Sequence, residues 1–127
     1  MNETLLDNLL SVMAAVEGRR SVGRFVSLSG ADDEVIAHLR HGNRSAERLL
    51  AWFYLLDEPR IVHRHYETYV SVAVRGRHRG VVVRAWTGFY EPAERALLAE
   101  SPDNAEARLS VHRLRRLQMV QQCGDAA

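Results

Sequence analysis

The sequence predicts an α+β domain: a small antiparallel sheet built on one long β-hairpin, about 61–75 and 80–90, packed against several helices in the order α-β-α-α-β-β-α-α. Three observations predict it. The stretch 61–90, IVHRHYETYVSVAVRGRHRGVVVRAWTGFY, alternates apolar and polar residues on both sides of a basic knot, Arg75-Gly76-Arg77-His78-Arg79-Gly80. Apolar residues recur at helical spacing before and after that stretch. A chain of 127 residues, 46% hydrophobic and 26% charged, has the size and composition of one globular domain.

Taken in order, Leu5, Leu6, Leu9, Leu10, Met13 and Val16 share one helical stripe. With Thr4 placed to cap it and Gly18 to stop it, they predict a helix over roughly 4–17. Phe25-Val26-Ser27-Leu28 predicts a short strand after a basic approach, Arg19 to Arg24. Asp32-Asp33-Glu34 sets three acids where a helix dipole favours them, which predicts a second helix with Val35, Ile36 and Leu39 inward and Gly42 closing it. A third helix starts at Asn43 or Ser45, turns Leu49, Leu50, Trp52, Phe53 and Leu56 to the core, and ends before Pro59.

In the hairpin, Val62, Arg64, Tyr66, Thr68, Val70, Val72 and Val74 alternate with His63, His65, Glu67, Tyr69, Ser71, Ala73 and Arg75. Folding back about Arg77-His78 sets Val74 against Val81, Val72 against Val83, Val70 against Ala85 and Tyr66 against Phe89, gathering the apolar side chains on one face. The other face then holds Tyr69 opposite Trp86, His65 opposite Tyr90, Ser71 opposite Arg84 and Ala73 opposite Val82. Arg-His is poor chemistry for a two-residue turn, whose central residues need positive φ. The expected turn is therefore the four-residue loop 76–79, with Gly76 or Gly80 in the awkward dihedral.

Beyond the hairpin, Pro92 suits the first turn of a helix containing Ala96, Leu97 and Leu98, which Ser101-Pro102 ends. Asp103 with Glu106 has the spacing of a capping box for a last helix burying Val111, Leu114, Leu117 and Val120. Residues 123–127 have the small and polar composition of a flexible tail.

The net charge of +1 gives no global pull toward nucleic acid or membrane, but its distribution does. Between Arg60 and Arg84 six arginines face one acid, Glu67. No lysine occurs among the 17 basic residues; a GC-rich coding sequence explains this most simply, although arginine also has the planar fork that grips phosphate and carboxylate. The single cysteine, Cys123, allows no internal disulfide. No apolar run has the length of a membrane span, and the start of the chain is acidic rather than basic, so a cytoplasmic location is expected.

Catalytic signatures are sparse. On one strand face His63, His65 and Glu67 alternate as metal ligands would. The His-x-His pair resembles the start of the cupin metal motif, with one residue before the glutamate where cupins have three or four. Arg20 and Arg24 match the RxxxR of PilZ receptors, but Phe25 stands where their second motif needs Asp or Asn, which excludes that family. GxxxxGK, GxGxxG, CxxC, HExxH and GxSxG are all absent. The helices before the hairpin resemble a winged helix-turn-helix in outline, but the reading helix would be the apolar 45–53 segment. In outline the succession of elements is also similar to the roadblock/LC7 domain, a resemblance that implies a dimeric regulator.

These readings converge on a non-enzymatic interaction and regulatory module without a cofactor, expected as a homodimer. A small inhibitor or accessory protein of a phage, mobile element or bacterial system fits the description. Its candidate partner-binding residues are Arg75, Arg77, His78, Arg79, Arg84, Tyr69 and Trp86, and its expected partner is an acidic protein surface or a nucleic-acid backbone. The alternatives are a metal-dependent enzyme built on His63, His65 and Glu67, and a roadblock/LC7-like dimeric regulator.

Overall fold

A computed structural model describes residues 34–98 and 106–123 in full, the backbone of 25–31 and 124–126, and Asp7 and Val12 before them. The α+β class holds. Among the described residues six strands form one sheet: β1 (Phe25–Ala31), β2 (Glu34–Leu39), β3 (Asp57–His65), β4 (Val70–His78), β5 (Val81–Phe89) and the two-residue β6 (Ala107–Arg108). Their spatial order is β1-β2-β5-β4-β3-β6. The helices among the described residues are α1 (Ser45–Leu55), α2 (Pro92–Leu97) and α3 (Val111–Ala126). Every strand pair is antiparallel except β2 with β5, so the sheet is mixed rather than antiparallel throughout.

The expected order α-β-α-α-β-β-α-α changes in three places. The segment predicted as a second helix is strand β2, which forms a hairpin with β1 in which Ala31 lies opposite Glu34. Its burial alternates with period two, Val35, Ala37 and Leu39 being fully buried between half-buried Glu34, Ile36 and His38. Six residues are too few to separate that pattern from a helical one, and the acids ahead of it tilted the reading toward a helix dipole. Asp32 and Asp33 lie outside the described residues.

Second, the predicted first hairpin strand is two strands. The chain reverses between His65 and Val70, and the Tyr66 amide donates to the Tyr69 carbonyl at 2.8 Å. Third, the last helix begins at Val111 rather than just after Glu106; Asp103, the other half of the predicted capping box, lies outside the described residues. Arg108 pairs with Val62 in β6, and α3 starts after Ser110, whose hydroxyl accepts from the Arg113 amide at 3.2 Å. That helix also runs through 123–126, which composition had marked as a tail. Leu114 and Leu117 are buried as predicted, whereas Val120 is exposed.

Other elements stand where the sequence put them. The strand at Phe25–Ala31 includes the predicted 25–28, α1 and α2 match the third and fourth predicted helices, and Leu98 follows α2 fully buried. Of the first predicted helix, Asp7 and Val12 are described and helical. Val12 is buried in the core although it lay off the predicted stripe; the remainder, like Ser101-Pro102, is outside the described residues.

The core sits between one face of the sheet and the helices. Val35, Ala37, Leu39, Ile61, Val70, Val72, Val74, Val83, Ala85 and Phe89 meet Leu49, Trp52, Leu114 and Leu117 there. Helix α1 lies against the sheet and α3 packs on α1. Each such Val, Leu, Ile or Phe side chain contributes about 1.5–3 kcal/mol when fully buried. Gln121 joins the three helices beneath this layer. Its Nε2 donates to Ser45 Oγ at 2.8 Å and to Glu94 Oε2 at 2.5 Å, while its Oε1 accepts from the Ala46 amide at 3.0 Å.

Two glycines fix the joints around β4. Arg79 (φ 51) and Gly80 (φ 82) form a two-residue turn with positive φ at both positions, the kind in which glycine belongs second. Gly76 serves space rather than dihedral freedom. A Cβ there would lie 2.8 Å from Leu56 Cβ and 2.9 Å from the Asp57 carbonyl oxygen, where the chain passes from α1 into β3.

Candidate functional site

The register of β4 with β5 is the starting point. The observed pairs are Val74 with Ala85, Val72 with Thr87, Val70 with Phe89, Ala73 with Trp86, Ser71 with Gly88 and Gly76 with Val83. The predicted pairs, Val74 with Val81, Val72 with Val83, Val70 with Ala85, Ala73 with Val82 and Ser71 with Arg84, are therefore displaced, because the chain turns at Arg79-Gly80 instead of within 76–79. The displacement moves each partner by an even number of residues, so no side chain changes face. Val72 and Val83 both remain buried on the core side.

What changes is where the arginines are. The strands continue through His78 and Val81, so Arg77 joins Arg75 on β4 itself instead of sitting in a loop, and among the arginines of the basic knot the turn holds Arg79 alone. In addition, β3 pairs with β4 so that Arg60 lies opposite Arg75, and β5 pairs with β4 so that Arg84 lies on the other side of Arg75. Arg60, Arg75 and Arg84 thus form one row across three neighbouring strands on the face away from the helices. Adjacent strands are about 4.8 Å apart, so the row spans roughly 10 Å.

Like charges directly opposite each other destabilise a sheet. Here they are only loosely compensated: Arg75 Nε lies 3.8 Å from Glu34 Oε1, and Arg84 Nη2 lies 3.9 Å from Glu106 Oε2. Both distances exceed hydrogen-bond length. The Arg75 side chain is 58% exposed and that of Arg84 39%. Arg77 is exposed one step along β4, and the four arginines line an open groove of about 310 Å³ together with Glu58 and Glu106.

Beside the arginine row runs a second, more apolar one. His38, Trp86, Ala73, Val62 and Arg108 occupy successive strands at paired positions. Trp86 stacks on His38 with ring centroids 4.1 Å apart and planes 2° from parallel. One further step along β5 is Gly88, where a Cβ would come within 3.0 Å of Tyr90 Cε2 and 3.1 Å of Tyr69 Cδ2. Its missing side chain lets the two tyrosine rings lie against the sheet. Tyr69 stacks on Tyr90 at 5.2 Å and on Tyr66 at 4.9 Å, and Arg64 sits 5.6 Å over the Tyr66 ring.

Of the predicted partner-binding residues, the structure brings Arg75, Arg77, Arg84 and Trp86 to one face. Tyr69 reaches the same face from the turn between β3 and β4, over Gly88 rather than opposite Trp86. His78 ends β4 opposite Val81, and Arg79 is exposed in the turn. Sequence reasoning missed Arg60, Arg64, His38 and Tyr66. The signal that would have found Arg60, Arg64 and Tyr66 is a reversal between His65 and Val70, which carries no Gly, Pro, Asn or Asp, whereas His38 needed residues 34–39 to be read as a strand.

The candidate metal triad is not brought together. The reversal after His65 turns His63 and His65 to the core side, next to Val72 and Val70, while Glu67 is exposed in the turn. No group of three His, Cys, Asp or Glu with metal-holding geometry exists among the described residues. His65 Nε2 contacts the Leu98 carbonyl oxygen. His63 is 5% exposed, with both ring nitrogens lacking a hydrogen-bond partner. Burial, then the neighbouring His65 and Arg113, lowers its pKa below the ordinary 6.5, favouring the neutral ring.

No family model matches this chain, and neither do any curated protein or solved structure. Among the described residues no helix is long and apolar enough to cross a membrane.

Proposed function

We propose that this protein is a non-enzymatic interaction module that holds an anionic partner on the exposed face of its sheet. The observation that carries the reading is the row Arg60–Arg75–Arg84 with Arg77 beside it. A fold gains nothing from three facing guanidinium groups, and each is of the type that grips phosphate or carboxylate in a bidentate fork. Their carboxylate neighbours stand beyond hydrogen-bond distance, so a partner anion meets donors that are loosely engaged. The site is a surface of the sheet, broader than a hairpin tip.

The test is a titration of the protein with a fluorescent polyanion at several salt concentrations. Arg60→Glu combined with Arg75→Glu should abolish binding while leaving the far-ultraviolet circular dichroism unchanged. Binding that survives the double variant, or a wild type that binds no polyanion at low salt, would remove the proposal.

A further inference from the structure

Resting on that reading, we infer that the anion held on the sheet is single-stranded nucleic acid, its phosphates on the arginine row and its bases on the aromatic side chains alongside. Two independent features of the same face point to this occupant. The first is charge: Arg60, Arg75, Arg77 and Arg84 follow one another at strand spacing, which suits a ligand whose negative charges repeat along a chain.

The second feature has no use for a purely carboxylate partner. Along β5 the outward positions read Val82, Arg84, Trp86 and Gly88, the last roofed by Tyr69 and Tyr90. Alternate residues on a strand are about 7 Å apart, so the Trp86 ring and then the tyrosine pair stand at successive steps along β5 from Arg84, leading away from that end of the arginine row. Trp86 already stacks in parallel on His38, and Tyr69 stacks on both Tyr66 and Tyr90, so the rings are held in place before any base arrives, with the exposed Tyr66 and Tyr90 at the ends of that column open to one. Unpaired bases stack on such rings whatever their identity, whereas a duplex keeps its base faces hidden. The helix that leads into the sheet, α1, turns Leu49, Leu50 and Trp52 into the core, and the exposed His112, Arg115 and Arg116 of α3 belong to the helix layer on the other side of the sheet. Binding is therefore expected to be indifferent to sequence.

The experiment uses a fluorescein-labelled oligothymidylate of about 12 nucleotides, read by anisotropy, with its duplex and poly-glutamate as competitors. The single strand should bind, with the logarithm of affinity falling against the logarithm of salt at a slope of about −2, since each of three neutralised phosphates contributes about −0.7. Arg75→Gln should reduce that slope by about 0.7. Trp86→Ala should weaken binding about ten-fold at unchanged slope, and Trp86→Phe, which keeps a ring, should restore most of it. Thermal melts of both Trp86 variants separate lost stacking from lost folding. If the duplex or poly-glutamate binds as tightly as the single strand, or a folded Trp86→Ala binds like wild type, the single-strand assignment falls while the anion-holding face stands. If none of the three probes binds, both fall.

Discussion

His63 shows how one residue acquires a property that its sequence neighbours do not advertise. It lies in a paired row with Val72 and Thr87 across β3, β4 and β5, under the helices. Burial disfavours a charge on it first, and His65 on its own strand and Arg113 of α3 oppose a positive charge there as well. Protonation would set an imidazolium among apolar side chains with no acceptor at either nitrogen. In the unfolded chain the ring takes up a proton near 6.5; in the folded protein it does so only at lower pH. Above that value both states are neutral and His63 costs the fold no protonation energy. As pH falls through 6.5 toward the folded pKa, the unfolded state binds more protons and stability is lost. His63→Leu should flatten this part of the curve, leaving stability at pH 7 equal or higher, since it also removes two unpartnered polar atoms. Urea melts of both proteins between pH 5 and pH 7.5 would show it, and parallel pH profiles would assign the loss to another group.

At the scale of the element, the β4–β5 turn explains why the register was misjudged by an even step. Type I′ geometry needs positive φ at two residues, and Arg79-Gly80 supplies it with only the second residue suited to it. Arg79→Asn should therefore stabilise the hairpin by about 0.5–1 kcal/mol, since asparagine tolerates the left-handed region and arginine does so poorly. A midpoint of denaturation that does not rise would show that the turn is unstrained. The class of fold and the inward valines were legible because alternation survives any even slip. The triad at His63, His65 and Glu67 was misread because alternation from Val62 to Val74 looks continuous, yet a reversal sits inside it. Its residues, Tyr66, Glu67, Thr68 and Tyr69, include none of the usual turn formers. That hidden reversal put the histidines in the core and Arg60 beside Arg75. β2 was hidden for a different reason. Val35, Ile36 and Leu39 satisfy a helical stripe as well as Val35, Ala37 and Leu39 satisfy a strand, and only its two partners decide between them.

For the whole molecule, a single parallel seam among the described strands joins two antiparallel units, the β1–β2 hairpin and the β3–β4–β5 meander. The pairs that make it, from Glu34 with Val82 to His38 with Trp86, close over a long intervening chain that contains α1, β3 and β4. Contacts so distant in sequence form late, after the local hairpins. The rows of the exposed face cross this seam, since His38 belongs to β2 and Trp86 to β5. A chain beginning at residue 42 should therefore lose the His38 support for Trp86 and bare the backbone of β5, a nine-residue strand rich in valine. Size-exclusion chromatography should show it associating with rising concentration, whereas a monomer with native melting would show that the meander protects itself. The wider consequence concerns quality control. The N-terminal hairpin, held by one ladder and by Val35, Ala37 and Leu39 in the core, guards the edge of β5, and a protease cut that strips it away exposes a template on which the next extended chain can add itself.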